Sequence, residues 1–585
     1  MSTEQNTNKA DISLLWRLLG WARPYRSIFA LAAGLAVILA PLAVVRPYLI
    51  NVMIDDYVFK FDVAGMNRIL MIIIGTLFIE VGLRYVFIYS TNWLGQSVIR
   101  DLRMQVFKHL INLRLKYFDN TPIGTSTTRT ISDIETINRI FTEGVITIVA
   151  DVLTVIAVVS VMLYTSWELT LVCLTVLPLL FIATYIFKEK VKIAFQTVRN
   201  QVSVMNAFLQ ERISGMQVVQ IFNAEKQEMS RFKEINRTYT QANLDSILYY
   251  AVFFPVVEII SAMALGLMVW FGAREAMIGA GVTAGAMVAF PIYLSMMFRP
   301  IRMLADKFNT LQMGLVASER VFNLLDDNSV IANTGKIKAP RLEGKVRFED
   351  VNFAYNLPNY ILKNISFNIK PGETLAIVGS TGSGKTTIIN ILNRFYEIQS
   401  GCISIDDVDI KDYELASLRK RIAVVLQDVF LFSGSVYENI NLRDDRISKA
   451  QVIAAAKLIG AHRFIEKLPG GYDYEVMERG ATLSLGQRQL ISFVRALVFD
   501  PDILILDEAT SSIDPETEAV IQYAIEKLID KRTSIIIAHR LSTIRHANNI
   551  MVLDKGNIME FGPHEELLRM EDGHYRDLYE MQFSK

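Results

Sequence analysis

Cysteine is nearly missing from this chain: there are two in 585 residues, Cys173 and Cys402, far apart and in different kinds of sequence. That excludes a disulfide framework and a Cys-x-x-Cys metal site, and leaves each thiol the role of a small buried hydrophobe. An excess of either charge is missing too. Lys and Arg number 60 against 60 Asp and Glu, so a global basic field for nucleic acid has no support. No cleavable signal peptide is visible. The start is polar for about a dozen residues, and the apolar run from Ile28 is long enough to span a membrane. What is abundant is apolar surface: 51% of residues are hydrophobic, with a mean hydropathy of +0.29, in a chain too long for one core.

That apolar surface is concentrated in the first half. Up to residue 305 the sequence repeats apolar stretches of about 20 residues, the length that crosses a bilayer. We read six: Ile28–Ile54, Ile69–Tyr89, Val145–Tyr164, Leu169–Phe187, Tyr249–Phe271 and Ala284–Met303. Six spans put both ends of the chain on one side. The connections 100–139 and 188–237 are long and rich in Lys and Arg, whereas 57–68, 165–168 and 272–282 are short and poor in them. The positive-inside rule then places the long connections and both termini in the cytoplasm. Leu14–Arg26 mixes Trp, Leu and Arg at helical spacing and reads as an interfacial helix. The long connections keep the periodicity of the spans, so helices are expected to run on past the bilayer. Turns are expected at Phe118–Gly124 and near Ile213–Gln217, at tips that can touch a cytoplasmic domain.

Arg46, Glu80, Arg84, Asp151, Glu258 and Arg299 fall inside the spans, where charge is costly and should face a cavity or a partner. Glu80 and Arg84, four apart, can pair with each other. Asp151 and Glu258 have no local partner and are expected to line a cavity, where they would suit a cationic cargo. Tyr89, Phe253, Phe254 and Tyr293 serve either packing or a cavity for apolar cargo.

After a Gly, Lys and Pro-containing linker, 329–342, strand and helix signals alternate. Val346–Val351, Thr374–Val378, Ile422–Leu426, Ile503–Leu506 and Ser534–Ala538 read as buried strands, and Ile550–Phe561 as a hairpin turning at Lys-Gly-Asn. Between one such strand and a helical pattern stands Gly379-Ser-Thr-Gly-Ser-Gly-Lys-Thr-Thr387, with the spacing of a phosphate-binding loop. Gly379, Gly382 and Gly384 let backbone N–H groups of the loop, which includes Ser380, Thr381 and Ser383, turn towards phosphate oxygens of a ligand, and the helix start adds its positive end. Lys385 is expected to reach the β- and γ-phosphates, and the Thr386 hydroxyl, beside Thr387, to ligate Mg²⁺. Asp507 ends an apolar strand as a second Mg²⁺ ligand, and Glu508 stands next to it as general base for water. Gln427 and His539 come after two further strands, at the end of an open sheet where sites form.

Leu483-Ser-Leu-Gly-Gln487-Arg-Gln489, about 20 residues before that Asp-Glu pair, resembles the signature of ABC ATPases. With the loop at 379–387, Gln427, Asp507, Glu508, Asp514 and His539 the set matches that family in order and spacing. Tyr355 resembles the aromatic that stacks on adenine, and 475–480 the segment that links the ATPase to the membrane domain. Phe118–Gly124 resembles the first cytoplasmic turn of the exporters. Six spans before one ATPase domain is the layout of an exporter-type half-transporter.

The resemblance implies a multi-domain chain: an interfacial helix in 1–27, an all-α six-helix transmembrane domain in 28–328, the linker, and an α/β ATPase domain in 343–585. It implies ATP and Mg²⁺ as cofactors. Each ATP would lie between one chain's loop and the Ser484, Gly486 and Gln487 of a second chain, with Gln427 on the metal and His539 either at the γ-phosphate or orienting Glu508. It implies a multi-pass protein of the plasma or inner membrane that exports a small molecule, lipid or peptide, or flips a membrane lipid, with no nucleic-acid partner. Where the family consensus signature has a second Gly this chain has Leu485, which leaves both a homodimer and a heterodimer open. The other class considered is a channel or regulator gated by such an ATPase.

Overall fold

The apolar runs of the first half fold as helices longer than a bilayer needs. In this computed structural model, which describes residues 12–278, 282–331, 333, 335–507, 515–538 and 544–583, six helical stretches are long and apolar enough to span. They are Arg23–Val58, Val63–Leu110, Ile123–Thr165, Trp167–Ser214, Glu225–Ile278 and Ala284–Ile301, the last being the start of a helix that runs to Leu325. Each coincides with one expected span. The second is 48 and the fifth 54 residues long. At 1.5 Å per residue that is about 70–80 Å, against a hydrocarbon core of about 30 Å.

The breaks fall at the expected residues. A short helix α1 (Leu115–Asn120) stops at Thr121, whose backbone is extended as the residue before a proline must be. The helix Leu177–Ser214 ends at Gly215, and a second short helix, Met216–Ile221, comes next with Val218, Ile221 and Phe222 exposed on the single chain.

By contacts the chain divides into two units, one of residues up to Ile111 with Pro122–Asn328, the other of Asn112–Thr121 with Ser329–Lys585. In the first, Val158, Met162, Cys173, Val257, Met268, Phe290 and Tyr293 pack into one buried core. Arg84 Nη2 donates to Glu80 Oε1 at 2.9 Å, the pairing that their spacing allows. Asp151 departs from the reading made of it. Lys307, 156 positions on, donates to its carboxylate, a partner that local spacing cannot reveal. Glu258 and Arg299 are exposed on the single chain, and Arg46 is half-buried.

The second unit holds twelve strands among the described residues: β1 (Val346–Phe353), β2 (Leu362–Ile369), β3 (Thr374–Val378), β4 (Ser400–Ile405), β5 (Val408–Asp409), β6 (Ile422–Val425), β7 (Gly434–Ser435), β8 (Glu475–Val476), β9 (Ile503–Asp507), β10 (Thr533–Ile537), β11 (Asn549–Asp554) and β12 (Asn557–Gly562). One sheet has the order β12-β11-β3-β10-β9-β6, parallel except for the β11–β12 hairpin. A second, antiparallel sheet runs β2-β1-β4-β5. Every residue of β3, β9 and β10 is buried, which is why these strands read as continuous apolar runs.

The large sheet separates two cores. Ala376, Leu504, Leu506, Ile536 and Val552 face one, together with the helix α3 (Leu485–Val498) through Leu490, Ile491 and Phe493. Leu375, Ile377, Ile505, Ile537 and Leu553 face the other, together with α2 (Lys385–Leu392) through Ile388, Ile389 and Ile391. The alternation of neighbouring residues between cores is the period-2 side-chain pattern of a strand.

Candidate nucleotide site

Because β3, β10, β9 and β6 are parallel and adjacent, their C-terminal ends and the loops leaving them lie along one sheet edge. The loop 379–384 leaves β3, Asp507 ends β9, and Gln427 comes just after β6, exposed to solvent. Glu508, Asp514 and His539 lie outside the described residues.

The loop needs its glycines. Gly379 has φ +150°, and a Cβ there would sit 2.1 Å from the Leu553 carbonyl oxygen of the neighbouring strand. Gly384, at φ +110°, leads directly into α2. Lys385 Nζ donates to the carbonyl oxygens of Gly379 and Ser380, both at 2.8 Å, so its ammonium reaches back along the loop. Burial pushes its pKa down, and the Asp507 carboxylate opposes that shift. Thr386 is exposed in the first turn of α2, while Thr387 is buried. Ser380 Oγ donates to Asp554 Oδ1 at 3.2 Å, Thr381 is exposed, and Ser383 Oγ is buried with no hydrogen-bond partner among the described residues. These residues fit a nucleotide: a loop shaped by left-handed glycines, a cation along it, an exposed hydroxyl at a helix start and a carboxylate at the next strand but one.

Tyr355 stands beside this loop. Its hydroxyl is 3.3 Å from Thr387 Oγ1 and accepts from Asn390 Nδ2 at 3.2 Å, and its ring meets that of Tyr396 nearly at right angles, centroids 4.8 Å apart. Sequence reasoning did not assign roles to Asn390 or Tyr396. Asn390 comes three residues after Thr387 on a helix, a spacing that places both on one face. Tyr396 lies beyond that helix, and only the fold brings it in.

The signature residues are elsewhere. Ser484 caps α3: its Oγ accepts from Gln487 N at 3.2 Å, and Gln487 Oε1 accepts from Ser484 N at 3.0 Å. Gly486 is buried in the first turn and Leu485, the first helical residue, is half-buried. Since α2 and α3 pack into different cores, on opposite faces of the large sheet, the loop and signature of one chain are carried by separate layers.

Two family models match the chain, the ABC transporter transmembrane region over residues 29–301 and the ABC transporter model over 362–511. The chain belongs to the ABC transporter family. Within it, the chain is an exporter-type half-transporter, with the membrane and ATPase parts fused. It is 41% identical over 580 residues to the uncharacterized ABC transporter ATP-binding protein YknV of Bacillus subtilis, covering 97% of this chain and 94% of that protein. It is 37% identical over 546 residues to the probable multidrug resistance ABC transporter ATP-binding/permease protein YheH of the same organism, 92% of this chain and 80% of that one. An ATP-dependent lipid A-core flippase of Nitrosococcus oceani is 36% identical over 576 residues, 98% of this chain and 96% of that one. ATP binding and an ATPase coupled to transport across a membrane follow from this membership; the channel or regulator reading finds no support in it. This ABC transporter also has an apolar cavity of about 430 Å³ between its first and third spans, lined by residues that include Pro41, Val44, Tyr48, Val161 and Tyr164. Tyr89, Phe253, Phe254 and Tyr293 do not line it.

Proposed function

We propose that the chain is one half of a dimeric exporter or flippase of the plasma or inner membrane, moving a hydrophobic or amphipathic compound by alternating access. The observation that carries the dimer is the separation of α2 from α3 by the sheet. A loop on one layer and a signature on the other suit a head-to-tail pair, in which Ser484, Gly486 and Gln487 of one chain close over the Gly379–Thr387 loop of the next. The apolar tip at Val218, Ile221 and Phe222 supports a further covering surface. The basic long connections support cytoplasmic termini.

In the closed pair Lys385 and the loop N–H groups hold the phosphates, and the Tyr355 ring takes the adenine. Thr386, Gln427 and Asp507 would hold Mg²⁺, which neutralises charge on the phosphates. Glu508 takes the proton of the attacking water, and His539 orients Glu508 or contacts the γ-phosphate. Asp514 is assigned to nucleotide binding with them. The domain limits are those read from the sequence: 1–27, 28–328, 329–342 and 343–585.

The lined cavity supports an apolar or amphipathic cargo, as do relatives whose names include a lipid A-core flippase and a probable multidrug resistance transporter. A preference for cationic cargo is weakened at Asp151, whose charge Lys307 offsets, and rests on Glu258.

The test is ATP turnover by the purified dimer in lipid vesicles. Glu508→Gln should lower turnover about 100-fold or more while ATP binding persists. Wild-type turnover in that variant would remove Glu508 as the base. Affinity purification of the tagged chain from its membrane shows whether the second half is this chain or another.

A further inference from the structure

Helix α1 lies in the chain between two membrane helices, yet its segment, Asn112–Thr121, belongs by contacts to the ATPase unit. One of its side chains reaches the residue that we assign to the adenine, and a second reaches the tyrosine that packs against it. Lys116 Nζ donates to the backbone carbonyl of Tyr355 at 3.0 Å. The Asp119 carboxylate accepts from the hydroxyl of Tyr396, whose ring stands against that of Tyr355 at 88°. Phe353 closes the cluster, with its centroid 4.9 Å from Tyr355 and 5.8 Å from Tyr396.

Tyr396 is only 8% exposed. Burial first, then the bond to Asp119, pushes its phenol well above the usual range, so it remains a proton donor throughout the neutral range. The Tyr355 ring is therefore held at two ends. Its hydroxyl is anchored by Asn390 and Thr387 on the phosphate-loop helix. Its backbone and its tilt are anchored by groups that α1 engages. Stacking on an aromatic face strengthens the binding of a base, and a platform delivers that only if its plane is already in place when the base arrives.

We infer that α1 is an adenine-positioning element, in which Lys116 and the Asp119–Tyr396 pair hold the Tyr355 ring in its stacking plane. A tip continuous with two membrane helices thereby sets the affinity of the site for the base. The inference rests on the assignment of Tyr355 to the adenine. Lys116, Asp119 and Tyr396 are positioning residues, acting through Tyr355.

The experiment uses the full-length dimer in lipid vesicles and the variants Tyr355→Ala, Tyr396→Phe, Asp119→Ala and Asp119→Asn. It measures kcat and KM for ATP and the inhibition constant of tripolyphosphate, which carries no base. Tyr396→Phe and Asp119→Ala should raise KM for ATP about three- to tenfold, less than the full weight of one hydrogen bond to a charged group because the effect reaches the base only through Tyr355, with kcat and the tripolyphosphate constant within about twofold of wild type. Asp119→Asn keeps an acceptor oxygen and should restore most of the affinity. Tyr396→Phe keeps the ring, so the fold is retained. If Tyr355→Ala leaves KM for ATP unchanged relative to the tripolyphosphate constant, Tyr355 is not the platform and the inference falls with that assignment. If Tyr355→Ala raises KM and neither Tyr396→Phe nor Asp119→Ala does, the platform stands and the inference is overturned. A fall in kcat with KM unchanged overturns it too.

Discussion

Lys385 Nζ donates to the carbonyl oxygen of Gly379 at 2.8 Å, so the loop's only lysine reaches back to its first glycine. This fixes a cation along the backbone that is expected to wrap the phosphates. Lys385→Ala should lower ATP turnover about 100-fold or more, because a preorganised charge at the phosphates is lost. Vesicle ATPase assays check this, with the thermal midpoint of the variant compared with wild type to show that the fold is retained.

Gly379 and Gly382 should differ in their tolerance of a methyl group. At Gly379 a Cβ would meet the Leu553 carbonyl at 2.1 Å, on a backbone at φ +150°. At Gly382, φ is +83° and nothing lies within 4 Å. Gly382→Ala should cost the backbone strain alone, about 1–2 kcal/mol. Gly379→Ala should cost more and displace β11 or the loop. Thermal unfolding of the two variants in detergent ranks them, and equal midpoints would refute the steric account.

Asp151 and Lys307 should behave as a pair. Removing one partner leaves a charge in apolar surroundings, whereas removing both does not, and the loss for one alone can reach about 3–5 kcal/mol when a pair is buried. These side chains are 30% and 18% exposed, so a smaller value is expected. Asp151→Asn and Lys307→Met should each lower the thermal midpoint, and the double variant should recover part of the loss. Additive losses would show that the contact does not couple the two.

Arg17 and Asp326 make two parallel hydrogen bonds of 2.7 Å, with the guanidinium also 4.3 Å from the Phe322 ring. The bond to Arg17 holds the Asp326 carboxyl below its usual range. A carboxyl lowered in this way contributes stability above its unfolded pKa and loses it as the pH falls through the lowered folded value. Both side chains are about half exposed, so a double-mutant cycle should return about 0.2–1 kcal/mol, less in high salt. A coupling that does not fade on acidification would contradict the assignment.

Much of this molecule was legible in the residues because its strongest signals are local. An apolar run of spanning length can only be a helix in lipid, since every backbone polar group must be bonded within the segment. A glycine loop between a buried strand and a helix carries its own geometry, and the six spans, the parallel strands and the turn at Lys555–Asn557 follow from such patterns. The antiparallel sheet was not legible beyond β1. The β2 strand Leu362-Lys-Asn-Ile-Ser-Phe-Asn-Ile369 alternates buried and exposed residues, and that half-polar pattern is weaker than a continuous apolar run.

By itself, then, the sequence determined which stretches span, which loop has the spacing of a phosphate-binding loop and which family the motifs resemble, because each depends on neighbours along the chain. Only the tertiary structure decided that Lys307 faces Asp151, that Tyr396 joins Tyr355 to Asp119, and that α2 and α3 occupy opposite faces of one sheet. Those partners stand from about 40 to nearly 280 residues apart, and no local periodicity records a contact that arises only when strands and helices pack.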